Sequence, residues 1–305
     1  MLNLDAFNND VLRCLHDNRD AIDRERLELI HPQSFCYKNS VNILVGKQGT
    51  GKTFSCAYEI AKLSHLHPET HLLIIICKDE NKEDPTIKSL KSMINLPIEY
   101  VTEDEAEDYM RRFLDCKRLY DEVKTIQKKL GLRNEQLYDA IRREGVEDEE
   151  IEEMYSRLKI NDFSRDYLHT ILLFNDIAKS KLFSRATNYF NQLLPICRHI
   201  QCSFFMNVQF WKSLPPEIKA NATTIVIFGG FDQRQLYYIF SQVPTALSTK
   251  NIIPVYQRLA KHDKLIVNCE TGDIQIESAL VAHESTGSVS DPSAARPDGL
   301  AVPSE

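Results

Sequence analysis

A chain of 305 residues with 43% hydrophobic content can build one large α/β domain with an appendage, or two small domains, which argues against global disorder. Its net charge of −7 argues against a protein that coats nucleic acid over a wide face, so any DNA contact has to come from a local patch or loop. The eight cysteines, at 14, 36, 56, 77, 116, 197, 202 and 269, include no C-x-x-C pair and no nearby His-x-x-x-His, so zinc is not expected and they read as reduced core thiols.

Residues 1–39 read as a helical lead-in, with weak helical spacing at Leu12, Leu15 and Ile22 that Pro32 stops. No basic start followed by an apolar core opens this segment, so no signal peptide is expected. VNILV (41–45) is a short apolar run ended by a glycine, and AYEIAKLSHL (57–66) has helical composition. HLLIIIC (71–77) has the apolar run of a strand buried on both faces of a parallel sheet. It is also the longest apolar run, far short of the ~20 residues a membrane span needs. PIEYV (97–101) is a weaker strand candidate.

The character then changes to Asp, Glu, Lys and Arg. Tyr109, Phe113, Cys116, Leu119, Val123, Ile126 and Leu130 recur at three-four spacing. After Gly131 the habit repeats with Leu137, Ile141, Val146, Ile151, Met154 and Leu158. Residues 104–161 therefore read as an inserted helical hairpin standing outside the sheet, replaceable by a short linker.

Strands return with TILLF (170–174), CSFFMNV (202–208) and TTIVIF (223–228). Between them lie helical stretches, SKLFSRATNYFNQLLPICRH and later DQRQLYYIFSQV; KLIVNCETGDIQIE (264–277) reads as a β-hairpin. Residues 279–305, rich in Ser, Pro, Ala and Gly, read as a disordered tail. Alternating strands and helices predict an α/β fold with a mainly parallel sheet, its core in residues 40–103 and 162–278.

The chemistry concentrates after the first strand. GKQGTGKT fits G-x-x-x-x-G-K-S/T, with Gly46, Gly51, Lys52 and Thr53 in the defining positions. Glycines let backbone N–H groups turn onto phosphates, and the following helix offers its free N–H groups to the same anion. Gly46, Lys47, Gln48, Gly49, Thr50, Gly51, Lys52, Thr53 and Phe54 are thus the candidate cradle for a nucleoside triphosphate such as ATP. Lys52 is expected on the β- and γ-phosphates, and the Thr53 hydroxyl on Mg²⁺.

A P-loop hydrolase also needs a carboxylate at a neighbouring strand tip and a group that orients water. TILLFND puts Asn175 and Asp176 there. Either Asn175 takes the metal-shell position while Asp176 polarises the water, or Asp176 serves the metal. CSFFMNV leads to Gln209, a polar strand-tip residue suited to sensing the γ-phosphate or holding the water.

In order along residues 40–275, VNILVGKQGTGKT, LLFND, a helix ending in Arg198-His199, the strand ending in Gln209, LPPEIKANATTIVIF and an Asp232-led helix resemble viral genome-packaging ATPases of the FtsK/HerA superfamily. The similarity is to the branch of poxvirus-like large DNA viruses and their small, virophage-type relatives. It implies a RecA-like core, a homo-oligomeric ring and double-stranded DNA pumped into a capsid. A capsid or portal partner follows, with a place at the viral assembly site in the host cytoplasm or in the virion. The chain departs from the pattern at Asn175, where an acid is expected, and at Lys219, where relatives tend to carry arginine. Lysine cannot give the planar bidentate contact of arginine, so Arg198 is a second candidate for a charge acting on a neighbour's γ-phosphate. Two other classes stay open: a P-loop kinase of a small substrate, with Arg142-Arg143 in a lid, and a nucleotide switch of weak catalysis, which Asn175 favours.

Overall fold

The computed structural model describes residues 37–78, 85–143, 145–176, 181–183 and 189–277. The lead-in up to residue 36 and the tail from 279 lie outside them.

The centre is an eight-stranded sheet. In chain order its strands are β1 (Val41–Val45), β2 (Thr70–Cys77), β3 (Ile98–Thr102), β4 (His169–Asn175), β5 (Cys202–Val208), β6 (Thr224–Phe228), β7 (Lys264–Asn268) and β8 (Ile274–Glu277). The spatial order is β3-β2-β4-β5-β1-β6-β7-β8. The pairings from β3 through β6 are parallel, and β7 and β8 close the sheet antiparallel as the expected hairpin. Strand β5 lies between β1, which carries the phosphate loop, and β4, which carries the acid. That order, with helices on both faces, is the RecA-like P-loop arrangement.

Alternation along each strand divides the core into two layers. Leu73, Ile75, Ile171, Leu173, Phe205 and Val226 pack with α1 (Lys52–Leu66) and α2 (Pro85–Met93) on one face. Leu72, Ile74, Ile76, Leu172, Phe174, Phe204 and Met206 fill the other. Both layers being apolar explains why β2 reads as an unbroken hydrophobic run.

The inserted segment departs from the sequence expectation in two ways. It holds three helices, α3 (Ala106–Leu130), α4 (Asn134–Arg143) and α5 (Asp148–Leu158), because the second apolar stripe breaks around Gly145, whose φ is +89°. Nor does it stand outside the sheet. Met110, Phe113, Tyr120, Leu137, Ile141 and Met154 are fully buried in the same core layer as Leu72 and Phe204. The buried face of α3 also includes Lys117, whose ammonium donates to the carbonyls of Ile200 (2.5 Å) and Gln201 (3.0 Å) just before β5. Leu130, which the sequence assigned to the apolar stripe, is the last residue of α3 and is exposed.

Among the described residues before β5, α6 (Tyr189–Leu193) is followed by a 3-10 turn at Leu194–Ile196, since Pro195 has no N–H to continue an α-helix. The remaining α-helices among the described residues are α7 (Pro216–Ala220), α8 (Gln233–Phe240) and α9 (Thr249–Tyr256). Asp232 caps α8, accepting from the Gln235 N–H while the Gln235 side chain accepts from the Asp232 N–H.

At the end of the sheet where the parallel strands begin, two histidines are buried. The His169 ring nitrogens lie 2.8 Å from Thr70 Oγ1 and 2.9 Å from Ser203 Oγ, and His71 Nδ1 lies 2.8 Å from the His169 carbonyl. Burial, helped by the nearby Lys117 charge, pushes His71 down to about 3 and His169 well below the usual histidine range. Among the described residues no helix is long and apolar enough to cross a membrane.

Candidate functional site

The loop from Gly46 to Gly51 joins the tip of β1 to the first turn of α1, because its glycines occupy backbone and space that other residues would not. Gly49 and Gly51 have φ of +72° and +92°, in the left-handed region. A Cβ at Gly46 would lie 2.7 Å from Thr50 Oγ1 and 2.8 Å from Phe228 Cβ, too close for any side chain. The Thr50 hydroxyl donates to the Lys47 carbonyl at 2.9 Å and closes the loop on itself. The Gly46 N–H donates to Val208 O at 3.2 Å, which ties the loop to the tip of β5.

Lys52 opens α1 and is almost wholly buried. Its ammonium donates to the Lys47 carbonyl at 2.8 Å and meets no other hydrogen-bond acceptor among the described residues. An ammonium has three donors, so two remain for an anion above the loop. Burial holds Lys52 below the usual lysine range, while the negative charge of Asp176 works against that shift. The acid, two strands away, thus lies within electrostatic reach of the phosphate-loop lysine.

Sheet register explains how. Asn175 of β4 is level with Asn207 of β5, and Val45 with Val208. The chain leaves β4 at Asp176 and β5 at Gln209 on the same edge as the loop. Asp176 takes a left-handed φ of +57°, a conformation Asp tolerates better than most residues, and its carboxylate is exposed. Gln209 Nε2 donates to both carboxylate oxygens, at 2.9 and 3.2 Å. Asn175 is buried instead, and its amide oxygen accepts from Asn207 Nδ2 at 3.0 Å. The two residues that the sequence left interchangeable therefore face different partners.

The residues fit a nucleoside triphosphate with Mg²⁺. The cradle is cationic and lined by glycines, and Lys52 has donors to spare. Thr53 and Asp176 supply hard oxygen ligands of the kind Mg²⁺ takes alongside phosphate and water. Phe54, the next residue of α1, is 61% exposed, an apolar ring left in solvent beside the loop.

Arg198 and Lys219 are not brought to this site. Both precede strands that begin at the far end of the sheet, so the length of β5, seven residues, separates Arg198 from its own loop. That is about 20 Å at the usual strand rise. Arg198 is exposed and pairs with Glu270 at 2.9 Å. Lys219 donates to Gln242 Oε1 at 3.1 Å and lies 5.2 Å from the Trp211 ring, burial holding it below the usual lysine range.

Sequence reasoning missed two contributions. Asn207, which anchors Asn175, had a signal: an amide inside an otherwise apolar strand. Lys261 and His262 had none, since they lie in an unremarkable loop before β7, yet they sit against the phosphate loop. Lys261 Nζ lies 3.5 Å from where a Cβ at Gly49 would be, and His262 Nδ1 lies 3.7 Å from that point at Gly51.

No protein-family model matches the chain, and neither does any curated protein. Among solved structures it is similar to the genome packaging NTPase B204 from Sulfolobus turreted icosahedral virus 2 in complex with ATP-gammaS. There the identity is 14%, 79% of this chain and 97% of that chain are covered, and the TM-score is 0.48. It is also similar to EssC (ATPases 2 and 3) from Geobacillus thermodenitrificans, at 13% identity over 81% of this chain and 42% of that one, TM-score 0.45. For the cytoplasmic domain of the Thermomonospora curvata Type VII secretion ATPase EccC the values are 14%, 79%, 25% and 0.45. The fold class rests on the chain's own strand order and phosphate loop: it is a RecA-like P-loop core.

Proposed function

We propose that this chain is a Mg²⁺-dependent ATPase that works as a homo-oligomeric ring and moves double-stranded DNA, in the setting of viral genome packaging. The observation that carries the ATPase reading is the meeting of Lys52, Asp176 and Gln209 at one edge of the sheet. In this reading the loop from Gly46 to Thr53, with Phe54, holds the nucleotide, and Lys52 binds its β- and γ-phosphates. Thr53 and Asp176 would hold Mg²⁺, which when bound neutralises charge on the phosphate oxygens. Because Asn175 is hydrogen-bonded to Asn207, this reading gives the metal-side role to Asp176. Gln209 donates its N–H to Asp176, which leaves its carbonyl oxygen to accept from the attacking water.

The DNA-moving part rests on the sequence resemblance across residues 40–275. In this reading Arg198 or Lys219, each engaged away from its own phosphate loop, would serve a neighbouring subunit's nucleotide. A ring would also reconcile a net acidic chain with DNA, because a few cations per subunit are multiplied by the copies. A capsid or portal component is the partner this reading calls for.

A second reading, a nucleotide switch with weak catalysis, is favoured by the engaged amide at Asn175. One experiment separates the two: ATP turnover with and without duplex DNA, with native mass measured in parallel. DNA-stimulated turnover by a ring supports the motor. Tight nucleotide binding without turnover supports the switch, and turnover that requires a small acceptor would point instead to a kinase.

A further inference from the structure

The loop between α9 and β7 is built onto the phosphate loop more firmly than a surface turn needs. Asp263 is buried, and its carboxylate accepts from the Ala260 N–H at 2.8 Å. Its carbonyl accepts from the Gly229 N–H at 3.0 Å. A Cβ at Gly229 would lie 2.2 Å from the Ala260 carbonyl, so the end of β6 must be glycine for this loop to approach. The next residue, Lys264, donates to Ser55 Oγ of α1 at 2.7 Å and pairs with Glu277 at 2.7 Å. The loop is thereby tied to the sheet on one side and to the phosphate-loop helix on the other.

What this clamp presents is two basic side chains. Lys261 and His262 are exposed, lie over Gly49 and Gly51, and have no hydrogen bond or ion pair among the described residues. A lysine ammonium this close to the phosphate loop, which already carries Lys47 and Lys52, meets charge of its own sign. Asp176, hydrogen-bonded to Gln209, lies at the tip of β4, on the other side of β1. An anion between the two loops would relieve that repulsion.

Sheet order says which part of the anion. Asp176 and Gln209 leave β4 and β5 on one side of β1 and mark the terminal-phosphate end. Lys261 and His262 precede β7, on the opposite side of β1. We infer that Lys261 and His262 form a second wall of the nucleotide site, gripping the inner phosphates and sugar, so that the grip is shared by nucleoside di- and triphosphate. The inference rests on the nucleotide-binding reading above and adds a role for a loop that reading does not use. Functionally, this wall retains the diphosphate product, whereas Lys52 and Asp176 discriminate by the terminal phosphate.

The test is ATP and ADP affinity of the full chain, by calorimetry, for wild type, Lys261→Gln and Lys261→Arg. A charge-assisted contact to phosphate predicts that Lys261→Gln weakens ATP and ADP by the same factor, about 10-fold, with Lys261→Arg restoring most of it. Unchanged affinity for both nucleotides in Lys261→Gln overturns the inference. Loss confined to ATP overturns it too, because Lys261 would then act at the terminal phosphate. A wild type that binds neither nucleotide overturns the nucleotide reading itself, and the second wall with it. Lys261 is exposed, so these variants should fold; unchanged thermal unfolding checks that.

Discussion

Gln209 donates its side-chain amide to both carboxylate oxygens of Asp176, at 2.9 and 3.2 Å. Two residues from different strand tips thus behave as one unit, which holds an exposed carboxylate in the field of Lys52. Asp176→Asn keeps the size of the side chain and removes its charge. Turnover is expected to fall at least about 100-fold while nucleotide still binds. Asn175→Asp should leave the Mg²⁺ requirement unchanged and lower stability, because this side chain is buried against Asn207 and its charge would be met by a single amide donor. Steady-state ATPase assays across a Mg²⁺ titration check both, and near-normal turnover in Asp176→Asn would remove this carboxylate from the mechanism.

Lys52→Ala deletes the buried ammonium between the Lys47 carbonyl and the open face of the loop. Hydrolysis should drop by orders of magnitude with the fold intact, since a charge against the β- and γ-phosphates is lost but no apolar packing is. Circular dichroism alongside turnover separates loss of chemistry from loss of structure.

The inserted helices should be required for folding. Phe113 is fully buried against the sheet, and Phe113→Ala is expected to cost about 3–5 kcal/mol. Replacing residues 104–161 with a Gly-Ser linker should abolish cooperative unfolding, because one face of the core would be opened to water. A linker variant that melts like wild type would restore the reading of a dispensable appendage.

Acid should destabilise the fold through His71 and His169. Their folded values lie below the unfolded 6.5, so the unfolded chain binds more protons. Their stabilisation is complete above pH 6.5 and is lost as pH falls from there toward the folded value, about 3 for His71. Two groups lose together up to about 2.7 kcal/mol per pH unit in that window. Denaturant midpoints between pH 7 and pH 5 measure this. In a variant with both histidines replaced by Gln the slope in that interval should shrink, and an unchanged slope would place its origin in other groups.

Arg198 or Lys219 should act across a subunit boundary. Mixing Lys52→Ala subunits with Arg198→Ala subunits regains activity if Arg198 serves the neighbour's nucleotide, because some interfaces then hold both intact groups. A trans-acting charge of this kind raises turnover by about 10³ or more in related chemistry, so the rescue is readily measured. Absence of rescue passes the same test to Lys219→Ala, and absence of both argues against a shared site.

The sequence alone determined the sheet and the cradle. Strands such as VNILV, HLLIIIC and CSFFMNV are buried on both faces, so their apolar runs are explicit, and the glycine spacing at 46 and 51 follows from local backbone geometry. Only the tertiary structure decided which neighbour each polar strand-tip residue meets. Asn175 and Asp176 are adjacent in the chain, but strand register turns one to Asn207 and the left-handed turn at Asp176 exposes the other to Gln209. The same holds for the insertion, whose amphipathic stripe does not state what covers it, and whose buried Lys117 is paired by carbonyls 83 and 84 residues away. Lys261 and His262 are the extreme case. Their position over the phosphate loop depends on Gly229, Asp263 and the antiparallel return of β7, long-range contacts that leave no periodic trace in the local sequence.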